Sequence, residues 1–270
     1  NGYQALISQA DPSGNTPAHW ASLNGHLEVL QWLHDNDYPN LITLPNNNGN
    51  TLAHFAAQVG KADVLQWLHQ VNPNLINQKD RTGYTPAHFA TQFGQADVLQ
   101  WLHDNDYQEL ISQADPRGNT LAHLAAKFGQ VEVLQCLHNN GYHAVITQQN
   151  ISGNTPAHLA AIKGHMRVLQ CLHDNDYQEL IKQKDNDGHN PAHAAAANGH
   201  LKVLQCLHKL NPNLIKQPNN NGRTPAHWAA QFGKADVLKC LHNNGYHAVI
   251  SQADPRGNTP SHVAAQFGRV

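Results

Sequence analysis

Charge is scarce in this chain. Of 270 residues, 17 are Lys or Arg and 19 are Asp or Glu, and the net charge is −2. That balance supplies no overall attraction for nucleic acid. Cysteine is rare too: Cys136, Cys171, Cys206 and Cys240 are spaced 35, 35 and 34 residues apart. Such regularity marks one position seen four times, not a disulfide framework. No apolar run approaches the roughly 18 residues that a bilayer-spanning helix needs, and no segment has the form of a secretory leader. Apolar residues reach only 40%, below the globular average, and Asn, Gln and His fill the gap. The few charges are unevenly placed. Residues 1–135 hold 5 basic and 12 acidic side chains, a net of −7, and residues 136–270 hold 12 and 7, a net of +5.

What is abundant is repetition. Thr-Pro-Ala-His, or a near copy, occurs eight times, with histidines His19, His54, His88, His123, His158, His193, His227 and His262 spaced 34 or 35 apart. A period of this length points to a stacked repeat architecture. After each motif comes a stretch of small residues ending at a glycine, as at Gly25. A second apolar stretch such as 27–34 follows, then a Leu-Ile or Val-Ile pair, then an Asp/Asn-x-x-Gly turn. Thr16 suits a helix N-cap and Pro17 the first helical position, where no N–H is needed. Ala18 and Ala21 keep this helix slim, and Gly25 can adopt the left-handed conformation that ends it. On a helical wheel Val29, Leu30, Trp32 and Leu33 share one arc, with Glu28 and Gln31 opposite, which predicts a second, amphipathic helix. The fold class is therefore all-α.

Helix, glycine turn, helix and extended turn, with T-P-x-H opening the first helix, resembles the ankyrin repeat over the whole chain. The resemblance implies an ankyrin-repeat α-solenoid, curved and elongated, with an extended turn or β-hairpin in each repeat. On that reading 1–270 is one repeat domain. Residues 1–10 are the tail of a preceding repeat, and repeats occupy about 11–45, 46–79, 80–114, 115–149, 150–184, 185–218 and 219–253. Residues 254–270 are a truncated copy. Starting and stopping within a repeat suggests a piece of a longer protein. The repeats are one or two residues longer than the usual 33, and the excess around 38–42 predicts an added helical turn. Leu52 and Leu121 replace the motif proline, and Asn190 replaces the threonine while remaining a competent cap.

The resemblance also implies roles. The eight motif histidines become structural, each bonding the cap threonine and a neighbouring loop backbone. Partner-binding positions fall on the turn tips and at the end of the first helix: Val59, Arg81, Tyr84, Gln92, Phe93, Arg117, Asn119, Lys127, Phe128 and Phe232. A patch of Tyr84, Phe93, Arg117 and Phe128, with Val59 at its edge, has the aromatic and Arg content of a binding hot spot. The competing reading packs the phenylalanines flat between repeats. The partner expected is another protein or peptide, with no nucleic acid, membrane, cofactor, metal or small-molecule substrate, and the chain monomeric with weak end-to-end association at most. An intracellular, cytoplasmic setting follows, or a host cytosol for a secreted effector. Two other readings stand beside it: the targeting arm of a larger enzyme or effector, and a structural spacer or self-assembling rod.

Two further columns invite chemistry. His34, His69, His103, His138, His173, His208 and His242 recur on the second helix and should be partly buried, bonded to nearby backbone. The cysteines replace Trp32, Trp67 and Trp101 on the same helix. Equivalent residues on packed helices lie about 8–10 Å apart, too far for a disulfide or for one tetrahedral metal site, so this column reads as packing. Every reactive side chain belongs to a column. A catalytic site needs one convergent set of distinct roles, and catalysis finds no support.

Overall fold

A computed structural model describes residues 7–269. The chain divides into two units, one ending at Pro116 and one beginning at Arg117. In the first unit the slim helices are Pro17–Asn24, Leu52–Gln58 and Pro86–Gln92, and the amphipathic second helices are Leu27–Asp35, Ala62–Val71 and Ala96–Asp104. Thr16 caps the first helix from an extended backbone, with Pro17 in the first turn. Gly25, at φ 71°, ends that helix. The His26 N–H then reaches the Ala21 carbonyl at 2.8 Å, the closing bond of a Schellman turn. The added turn also forms: Pro39–Thr43 and Gln108–Ser112 are short helices, and Pro73–Leu75 is a single 3-10 turn.

The second unit repeats the plan. Its first helices are Leu121–Phe128, Pro156–Lys163, Pro191–Asn198, Pro225–Gln231 and Pro260–Gln266. Its second helices are Val131–Asn139, Met166–Asp174, Leu201–Leu210 and Ala235–Asn243. The extra turns are His143–Thr147, Gln178–Lys182, His247–Ser251 and the 3-10 turn Pro212–Ile215.

Within each unit, successive first helices pack on one another. Alanine makes this possible: Ala18, Ala53, Ala87, Ala122, Ala157, Ala192 and Ala226 are fully buried. Beneath them lie Leu30, Leu65, Leu99, Leu134, Leu169 and Leu204 from the second helices, all at most 4% exposed. Burying each such leucine contributes roughly 1.5–3 kcal/mol. Leu52 and Leu121, in place of the motif proline, are fully buried as well. The expected hairpin narrows to a tight turn, and no strand forms among the described residues. The tip is held by its own acid or amide: Asp11 Oδ1 accepts the N–H groups of Ser13 and Asn15 at 2.9 and 2.8 Å, a side-chain mimic of a backbone turn. Neighbouring tips join by backbone bonds, such as Arg81 N–H to the Asn48 carbonyl at 2.9 Å.

Candidate functional site

The motif histidines do the joining. The Thr16 N–H donates to His19 Nδ1 at 3.1 Å, so Nδ1 is an acceptor and the ring proton belongs on Nε2. That Nε2 faces the Asn50 carbonyl of the next tip at 3.2 Å. His54, His158, His193 and His227 make the same reach to Tyr84, His189, Arg223 and Asn258 at 2.9–3.0 Å. His123 reaches Asn154 at 2.8 Å. His88 Nε2 finds no such acceptor among the described residues, and His262 lies in the last, exposed copy. Asn190 caps its helix through Oδ1, accepting the Ala192 N–H at 3.0 Å. Burial depresses the basicity of His19, His54, His158 and His227 below the ordinary value. It brings His88 to about 4 and His193 to about 3. These rings are neutral struts at neutral pH.

The positions expected to bind divide between the two units. In the first, Phe93 is 44% exposed at the end of its helix, with Gln92 and Val59 half-buried. Arg81 is exposed on its tip. Tyr84 is half-buried and stacks on His88, with centroids 4.9 Å apart. In the second, Phe128 is 37% exposed, and Lys127 Nζ sits 5.2 Å from its ring centre. Arg117, Asn119 and Lys127 meet in one groove of about 290 Å³ with Asn150, Ile151, Leu159, Ile162 and Lys163. Phe232 lies apart from that groove, exposed and stacked on Trp228 at 5.8 Å. Each of these phenylalanines keeps 37–44% of its surface exposed. Arg117 and Phe128 belong to a different unit from Tyr84, Phe93 and Val59.

Sequence reasoning missed the residue that follows each motif histidine. Trp20 is 48% exposed. Phe55 and Phe89 set their rings edge-on to His19 and His54 at 5.4 and 5.1 Å. Trp228 stands edge-on to His189 at 4.6 Å. Variation at this column, from Trp through Leu to Ala, was its signal. Ile151, 70% exposed on a tip, was also missed. The second histidine column was half right. Six of its members are half-buried and His242 is exposed, but five of the seven bond side chains rather than backbone. His69 Nδ1 meets the Tyr107 hydroxyl at 2.7 Å and His138 that of Tyr177 at 3.0 Å, while His208 pairs with Tyr246. His34 and His173 turn instead to Asp35 and Asp174 at 3.2 Å. The added helical turn of the next repeat presents those tyrosines, so the bond crosses from one repeat to its neighbour. The four cysteines are half-buried and none is in a disulfide, and burial pushes the Cys171 and Cys206 thiols up, away from thiolate. Among the described residues no cluster of three or more His, Cys, Asp or Glu is placed to hold a metal ion. No helix there is long and apolar enough to cross a membrane.

Comparison with known proteins agrees with this geometry. A family model described as ankyrin repeats (3 copies) matches residues 122–217 and 204–270. Another, described as ankyrin repeats (many copies), matches residues 4–34, 18–69 and 60–103. No curated protein matches the chain.

Proposed function

The chain belongs to the ankyrin-repeat family, a family of protein-interaction modules, and from that premise we propose that it grips one partner protein or peptide through its turn tips and first-helix ends. One observation carries the reading. Phe93, Phe128, Phe232 and Phe267 are 37–44% exposed at the ends of first helices, in a chain that buries most of its large aliphatic side chains. Rigid aromatic anchors beside polar neighbours bind with little ordering cost. Binding rather than catalysis is the role proposed, because equivalent side chains recur as columns instead of converging.

The test is capture of a partner from cell lysate with the parent chain and with the Phe93→Arg/Phe128→Arg variant, matched for helical content by circular dichroism. We expect the variant to lose the partner, since a buried anchor at an interface contributes on the order of 2 kcal/mol. Equal capture by both chains would move recognition off these helix ends.

A further inference from the structure

We infer that the groove formed by the tips and first helices of residues 117–163 binds an acidic peptide segment carrying one large apolar side chain. This rests on the protein-binding reading above and adds the chemistry of the partner. The groove is lined by three cations, Arg117, Lys127 and Lys163, and by no Asp or Glu. The unit that carries it holds 14 Lys or Arg against 8 Asp or Glu, so the longer-range field has the same sign as the groove. In a chain with only 17 basic residues, three around one hollow without a lining carboxylate make a local exception.

The hollow is also apolar in the right place. Ile151 stands 70% exposed on the tip, and Leu159 and Ile162 are half-buried along the helix. An aliphatic or aromatic side chain laid on these three would bury apolar surface while flanking carboxylates meet the lysines. The walls are preorganised. Asn150 Nδ2 donates to Asn119 Oδ1 at 2.8 Å, and Asn150 Oδ1 accepts the Ser152 and Asn154 N–H groups at 3.0 Å each. The tips therefore need little ordering on binding. About 290 Å³ is at the small end of ligand sites, which suits a short segment rather than a folded domain. No aromatic ring lines the hollow, so unpaired bases would have nothing to stack on, and single-stranded nucleic acid is disfavoured.

Fluorescence anisotropy on the full chain tests this with a labelled Asp/Glu-rich peptide carrying one central leucine. We expect binding that weakens with salt. The Lys127→Glu/Lys163→Glu variant should lose at least about tenfold in affinity. The equally charge-reversed Lys202→Glu/Lys209→Glu variant, altered on a second helix outside the groove, should change by less than about twofold. Ile151→Ser should weaken the leucine peptide and leave a leucine-to-serine peptide unaffected. No binding of the peptide, equal losses in both charge-reversed variants, or tighter binding of an oligouridine at the same lysines would each overturn the inference. If the peptide fails while the lysate partner is still captured through Phe93 and Phe128, the acidic chemistry is wrong and the protein-binding reading stands.

Discussion

The motif histidine is the residue on which the most depends. It closes the helix cap by accepting at Nδ1, which requires the neutral ring, and crosses to the next tip by donating from Nε2. An unfolded histidine takes up a proton as pH falls through about 6.5. The buried ones resist it, down to about 4 for His88 and about 3 for His193. The unfolded state therefore binds protons first, and stability falls with pH. This contribution is complete above about pH 7 and drains away from about pH 6.5 downward through the folded values. Urea unfolding followed by circular dichroism should show a midpoint that drops steadily between about pH 7 and pH 4, with several histidines contributing. A flat midpoint over that range would contradict neutral buried rings. The Thr-Pro-x-His spacing made the cap legible, but nothing in it announced the His–Tyr pairs. His69 and Tyr107 are 38 residues apart, and only the stacking of repeats sets them side by side.

At the scale of the element, glycine does two separate jobs. Gly141, at φ 76°, has open space where a Cβ would lie. Asp106 and Asp176 hold the same position in their repeats at φ 66° and 67°. Here the only obstacle to a side chain is the left-handed backbone, so Gly141→Ala should cost about 1 kcal/mol. Gly49, at φ 86°, is different. A Cβ there would stand 2.8 Å from the Arg81 backbone nitrogen, which donates the bond joining the two tips. Gly49→Ala should therefore cost at least about twice as much, the backbone term plus a broken inter-tip bond. Paired urea titrations of the two variants check this, and equal costs would refute the distinction. Both glycines were visible in the sequence. Which one also guards a close approach was not, because the neighbour belongs to another repeat.

At the scale of the whole molecule, charge matters most. By unit the balance is −8 for residues 1–116 and +6 for residues 117–270. Opposite signs on two units let one copy's acidic unit attract another's basic unit, with a reach set by the Debye length of about 30 Å at 0.01 M salt and about 3 Å at 1 M. Sedimentation velocity should show a concentration-dependent rise at the lower salt and a monomer at the higher. Association that persists at about 1 M salt would instead point to apolar contacts. The same polarity favours an acidic ligand for the second unit, so excess acidic peptide should suppress the low-salt association.

The sequence alone determined the repeat, the helix pair, the added turn and the cap, because each is local: a spacing, a proline at the first helical position, a glycine where φ is positive, an apolar arc on a wheel. It also pointed to the helix-end phenylalanines, since they are large and apolar at positions expected to face outward. The tertiary structure decided what crosses from one repeat to the next. It paired His69 with Tyr107, turned Trp20 and Ile151 outward, and gathered Arg117, Lys127 and Lys163 around one hollow. Those neighbours lie tens of residues apart in the chain. A periodic sequence gives the same local rule to each repeat, and only the packing of unlike copies makes one hollow differ from the next.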